Sequence, residues 1–111
     1  MTTSLAALLG DLETLGVDEK RRQEADYAEL VINADRWEEC TRRLISALGA
    51  PTKPAGQKPT PEQEGRSAPW GGVRKPQIFF EGSWEGRPVV ALVWPWDGGE
   101  RYTVKLARPA A

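Results

Sequence analysis

The chain has 111 residues, a formal net charge of −1 and no histidine. This length suits one domain with a modest core, and we expect a single α+β domain over residues 1–111. The near-neutral charge gives no general attraction to nucleic acid or to a membrane surface, since both favour strongly cationic proteins. No apolar run is long enough to span a bilayer and no cationic leader follows Met1, so we predict a cytoplasmic protein without a membrane partner.

Residues 3–15 carry leucines at intervals of three and four, a spacing that places them on one side of a helix. These are Leu5, Leu8, Leu9, Leu12 and Leu15. A short leucine-rich helix is stable only when docked, and its own sheet or a second copy of the chain could receive it. Docking on the sheet is the favoured interpretation.

Residues 18–26 interleave charges of both signs, which predicts a solvated helical turn or connector. Residues 27–32 could form a strand or the end of a helix. Alternation would place Ala28, Leu30 and Ile32 on one face, and this favours a strand.

The clearest helix follows over residues 36–48. Asp35 and Glu38 have the spacing of a capping box at its start, and Gly49 and Pro51 suit its end. We expect Trp37 to anchor it to the sheet. Its apolar face consists of Trp37, Cys40, Leu44, Ile45 and Leu48.

Residues 51–76 contain six prolines and four glycines, with five cations against two acids. Proline removes backbone donors and biases the preceding residue away from helix, so neither helix nor strand should run far here. We predict a long loop that is functional or mobile, or that is docked on some other surface through Trp70.

Residues 77–107 predict a three-stranded antiparallel meander, because two clusters of turn-forming residues interrupt runs of β-branched and aromatic ones. The last strand alternates apolar residues with Arg101, Thr103 and Lys105, which we expect on a solvated face. The central strand, 88–96, is instead apolar on both sides and requires cover on both. Pro95 should end the pairing, because it cannot donate to a ladder. The predicted fold class is thus α+β: this meander and the strand at 27–32 form a small antiparallel sheet, packed on one main amphipathic helix with an additional N-terminal helix.

The chain is poor in catalytic side chains. With no histidine and one cysteine, the common nucleophile–base pairs and recognisable His/Cys metal sites are absent. Cys40 falls on the apolar side of a helix, where a buried core thiol is expected. We therefore expect no enzymatic activity, no cofactor and no metal.

Two groups of residues are candidate binding sites. The first consists of Trp84, Trp94, Trp96 and Tyr102, which lie near the predicted hairpin ends. Rigid aromatic rings bury a large area at small entropic cost and are enriched at contact surfaces, although a small sheet also uses them as core filler.

The second group consists of Trp70, Arg74 and Lys75, which flank paired glycines. Backbone donors and cations of this kind can hold an anion, and an indole can stack on a base. The alternative is a glycine turn with solvated cations and a tryptophan that fills a gap in the core.

These observations favour a non-enzymatic protein-protein interaction module, such as a small regulator, inhibitor or assembly component, that binds another protein or itself. The alternative function is a nucleic-acid or phosphate-ligand binder that uses the basic loop 51–76.

Overall fold

The computed structural model describes residues 5–24, 26–84, 86–96 and 98–109. In chain order the elements are α1 (Leu5–Glu13), β1 (Glu19–Gln23), β2 (Tyr27–Asn33), α2 (Ala34–Leu48), α3 (Pro61–Ser67), a 3-10 turn (Ala68–Trp70), β3 (Ile78–Trp84), β4 (Arg87–Pro95) and β5 (Arg101–Ala107). The predicted α+β class is confirmed.

The five strands form one antiparallel sheet in the order β1-β2-β5-β4-β3. Strands β3, β4 and β5 make the predicted meander, and β2 pairs with β5 along its whole length. Pro95 is the last residue of β4 and pairs with Tyr102 at the end of that ladder, as expected of a residue without a backbone donor.

The prediction of a helical turn or connector over residues 18–26 was wrong. Glu19–Gln23 forms β1, which pairs with β2 at the edge of the sheet. The backbone of β2 supplies the partners that decide the conformation, and this overrides the weak strand propensity of charged residues. Charged side chains on a short edge strand also discourage pairing with another chain.

Helix α2 begins earlier than predicted, because Asn33 and not Asp35 caps it. The Asn33 side chain accepts a hydrogen bond from the backbone N–H of Asp35, 2.9 Å away. Asn33 is also the last residue of β2, so the strand passes directly into the helix. At the other end, the N–H of Gly49 donates to the carbonyl of Ile45, as predicted for a terminal glycine.

Helices α1 and α2 cover one face of the sheet, which we call the inner face, and this confirms that the leucine helix docks on its own sheet. Arg43 of α2 fastens the end of α1 through hydrogen bonds of 2.7 Å to the carbonyl and carboxylate of Asp11 and to the Thr14 hydroxyl. The largest buried side chains of this core include Leu12, Leu30, Ile32, Leu44, Phe80, Val89, Val93 and Leu106.

Residues 51–76, which we call the strap, cover half of the opposite or outer face. A smaller core lies beneath the strap, formed by Val73, Phe79, Val90, Leu92 and Ala107. Both apolar sides of the central strand β4 are therefore covered by other parts of the same chain. Among the described residues, Ile45 is the one large hydrophobic side chain that is exposed, at 40%.

Lys53 holds the first part of the strap against the edge of β3. Its backbone exchanges hydrogen bonds with Phe79 as an isolated antiparallel bridge. Its side chain is fully buried, and the Nζ atom donates to the carbonyls of Pro54, Lys75 and Gln77. Three carbonyl acceptors compensate for the buried ammonium group, although burial still lowers the pKa of Lys53.

The strap also contains a helix, contrary to the prediction that no helix should run far in residues 51–76. In α3 the Thr60 side chain accepts from the N–H of Gln63, the Gln63 side chain accepts from the N–H of Thr60, and Pro61 occupies the first turn. This capping box, together with a proline at the start of a helix, is a recognisable sequence signal. The overall abundance of proline obscured it.

Candidate functional site

Aromatic side chains cluster on the outer face where the strap meets the sheet. Trp94 lies on the same side of β4 as Val90 and Leu92, beyond the core beneath the strap, and Trp96 follows it past the strand end. Both are half-buried. Trp70 of the strap and Tyr27 of β2 are also half-buried and pack beside the same small core.

Trp94 is held between the strap and β5. The ammonium group of Lys105 lies 3.4 Å from the centroid of its ring, a cation–π contact, and also donates to the carbonyl of Trp70 at 2.9 Å. On the strap side, a Cβ atom at Gly71 would come within 2.9 Å of the ring. The strap therefore lies on the indole as closely as a glycine backbone allows.

Trp96 is fixed in a different way. Its indole N–H donates to the hydroxyl of Thr103 at 2.8 Å, and the guanidinium groups of Arg21 and Arg101 lie 5.6 and 5.7 Å from its ring centroid. Arg101 also pairs with Asp18 at 3.0 Å. These contacts fix the orientation of the ring, while part of its surface stays accessible.

A polar row crosses the open half of the face. The Tyr27 hydroxyl donates to Glu29 at 2.7 Å, and Glu29 faces Lys105 across the β2–β5 pairing. Burial, the hydrogen bond to Glu29 and the charge of Glu29 raise the pKa of Tyr27. Burial lowers the pKa of Lys105, and the charge of Glu29 opposes that change. Arg22, paired with Glu24, lies 5.2 Å above the tyrosine ring.

These side chains and the strap line an open cleft of about 470 Å³, which we call the aromatic cleft. Its lining combines two cations, two carboxylates and two aromatic rings, so that neither sign of charge predominates. The lining residues are Arg22, Glu24, Tyr27, Glu29, Pro69, Trp70, Gly71 and Lys105.

The four residues of the first predicted site do not form one surface. Trp94 and Trp96 share the outer face, but Tyr102 lies on the inner face, where its ring stacks on Trp37 of α2 with centroids 4.5 Å apart. This stacking confirms that Trp37 anchors α2 to the sheet. The side chain of Trp84 lies outside the part of the chain that the structure describes.

The second predicted site is also divided. Trp70 lines the aromatic cleft, whereas Arg74 and Lys75 are exposed in the turn that returns the strap to β3 and do not line the cleft. The N–H of Gln77 donates to the Arg74 carbonyl, and the Gln77 side chain accepts from the Arg74 N–H. That turn leads the strap away from the face that Trp70 covers.

Sequence reasoning missed the polar members of the cleft. Lys105 was assigned to the solvated side of the last strand, and Glu29 received no role. The alternation in β5 placed Lys105 on the correct face, but only the strap and Trp94 make that face partly buried. The pairing of Glu29 with Lys105 depends on β2 lying beside β5, which local patterns do not reveal.

Cys40 is fully buried, and burial raises the pKa of its thiol to about 12. At neutral pH the group is therefore a protonated thiol within the inner core, in agreement with its predicted place there. Among residues 5–24, 26–84, 86–96 and 98–109, no group of three or more Cys, Asp or Glu side chains is arranged to hold a metal ion.

Comparison with protein-family models, with curated proteins and with solved structures finds no match to this chain. In the described part of the chain, none of the helices has the length and apolar character needed to cross a membrane. The function must therefore be inferred from the outer face itself.

Proposed function

We propose that this protein is a non-enzymatic binding module that holds a segment of another protein across the aromatic cleft and Trp96. One observation carries the proposal: Tyr27, Trp94 and Trp96 of the outer face, and Trp70 of the strap that lies on that face, are all only half-buried.

The rings are suited to contact because they are already held in place. The hydrogen bond from Trp96 to Thr103 limits the rotation of one indole. The cation–π contact of Lys105 limits the rotation of the Trp94 indole. A partner that covers them would lose little further side-chain entropy, which otherwise opposes association. Tryptophan, tyrosine and arginine are also the residues that most often dominate binding energy at protein interfaces.

The charges of this surface favour a polypeptide over a polyanion. Arg21 lies 3.7 Å from Glu29, Arg22 pairs with Glu24, and Arg101 pairs with Asp18. A phosphate backbone would have to compete with these carboxylates for every cation. A protein segment of mixed polarity can instead pair with both signs.

A displayed library of random linear peptides tests this proposal. We expect the wild-type protein to enrich peptides whose affinity falls by roughly tenfold or more in Trp96→Ala, as for a central interface aromatic. The matched control is Ile45→Ala, which removes an exposed apolar side chain from α2 and should leave affinity unchanged. Failure to enrich any peptide, or equal binding by Trp96→Ala, would contradict the proposal.

A second candidate function rests on the exposed cations Arg74 and Lys75, which the strap presents in the same turn. If they bind phosphate groups, the protein should bind oligothymidylate at low salt in a fluorescence anisotropy assay. Arg74→Glu/Lys75→Glu should then abolish binding, and wild-type affinity should decrease as salt rises from about 50 to about 200 mM. Absence of binding by the wild-type protein at low salt would exclude this function.

A further inference from the structure

A second cavity, of about 570 Å³, lies on the other side of Trp70 from the aromatic cleft. The two cavities share Pro69 and Trp70, but the remaining walls of the second come from α3, the C-terminal half of β3, the start of β4 and the chain after β5. Its apolar lining includes Trp70, Pro88, Val90 and Pro109.

Gly65 borders this cavity and has no structural reason to be glycine. It lies inside α3, where glycine weakens a helix relative to alanine. Its φ is not positive, and a Cβ atom there would meet nothing within 4 Å. Gly71 and Gly82, in contrast to Gly65, have neighbours that exclude a side chain. A Cβ at Gly71 would lie 2.9 Å from Trp94, and a Cβ at Gly82 would lie 3.0 Å from Leu48. Position 65 therefore has room for a side chain, and only a residue much larger than alanine would fill the cavity beside it.

The charges at the rim cancel. Arg66 donates to both carboxylate oxygens of Glu81, and Glu81 also accepts from the Thr52 hydroxyl at 2.7 Å. The carboxylate is thus already hydrogen-bonded, and the ion pair as a unit attracts neither an anion nor a cation. An occupant matched to this rim is uncharged.

We propose that this cavity binds a small, uncharged, planar aromatic molecule. The indole of Trp70 and the rings of Pro88 and Pro109 offer flat apolar surfaces, on which an aromatic ring can lie. Ser83, an exposed residue that lines the cavity, can hydrogen-bond through its hydroxyl to one polar group of the ligand. The volume falls within the range of roughly 300–1,000 Å³ that is usual for small-molecule sites.

Titration of the isotopically labelled protein with indole and with 2-naphthol, followed by amide chemical shifts, tests this proposal. We expect saturable shifts at Gly65, Trp70, Ser83 and Val90, and none with benzoate, which is planar but charged. Gly65→Phe fills the cavity and should weaken binding by about tenfold or more, which corresponds to about 1.4 kcal/mol. Gly65→Ala is the matched control, because it removes the glycine without filling the space, and it should bind as the wild-type protein does.

Ser83→Phe provides a second filled variant at an exposed position of an edge strand, should Gly65→Phe fail to fold. The proposal is overturned if neither indole nor 2-naphthol produces saturable shifts in the wild-type protein, if the shifts lie elsewhere, or if a folded filled variant keeps wild-type affinity. It is also overturned if benzoate binds as well as the neutral probes. The peptide test of the aromatic cleft is independent of all four outcomes.

Discussion

At the scale of single residues, the contact of Gly71 with Trp94 decides how closely the strap approaches the sheet. Gly71 has a φ of +98°, a conformation that residues with a Cβ rarely adopt, and its backbone lies against the indole. Lys105 then ties the neighbouring carbonyl of Trp70 to the same ring. These contacts join the strap to the open half of the outer face.

Gly71→Ala should destabilise the protein by two separate effects, strain at positive φ and a clash with Trp94. Gly72→Ala is the matched control, because its φ is +77° but a Cβ there would meet nothing within 4 Å. We expect Gly71→Ala to lower the free energy of unfolding by about 1–3 kcal/mol more than Gly72→Ala, the usual cost of overpacking. Urea denaturation measures the difference, and equal values for the two variants would show that Trp94 yields without cost.

At the scale of secondary-structure elements, amphipathic spacing predicted α1 and α2, and turn chemistry predicted the meander. Elements whose conformation depends on a partner were not predicted. Strand β1 has no apolar pattern of its own and exists because β2 offers it a ladder. The proline and glycine content identified the strap as a separate segment. Its helix was not predicted, because the many prolines argued against a helix and the capping box of Thr60 and Gln63 was overlooked.

The candidate site was predicted only in part, for the same reason. Period-two alternation placed Trp94 on one side of its strand, and Trp96 shares that side. The alternation within a strand could not show that Tyr102 lies on the opposite face of the sheet, where it stacks on Trp37. That assignment requires the register in which Pro95 pairs with Tyr102, which is a tertiary feature. Trp70 joins Trp94 only because the strap crosses the outer face.

At the scale of the whole molecule, the chain forms three layers: two helices, a five-stranded sheet and the strap. Cys40 lies within the inner layer, where burial raises the pKa of its thiol from 9.0 to about 12. Global unfolding exposes this thiol to water and returns its pKa to the ordinary value. Ionisation of the Cys40 thiol in the unfolded chain therefore contributes to the loss of stability at alkaline pH.

Well below pH 9 the Cys40 thiol is protonated in both states and contributes no pH dependence. Between pH 9 and about 12 the unfolded chain releases the proton while the folded chain retains it, so the free energy of unfolding decreases as pH rises. Between pH 7 and pH 10 we expect the free energy of unfolding of the wild-type protein to decrease by about 1.4 kcal/mol more than that of Cys40→Ala.

The other titrating groups are common to both proteins, so the comparison isolates the thiol. Urea denaturation of the wild-type protein and of Cys40→Ala over this pH range measures the effect. Parallel stability curves for the two proteins would contradict a buried, protonated thiol.

The sequence by itself determined the α+β class, the two amphipathic helices and the three C-terminal strands, because these follow from the period of apolar residues and from the φ angles that turns demand. Only the tertiary structure decided that the edge strand forms, that the strap covers the outer face, and that Trp70, Trp94 and Lys105 meet. The physical reason is that these features depend on contacts between residues far apart in the chain, such as the bond from Lys105 to Trp70, which no local pattern encodes.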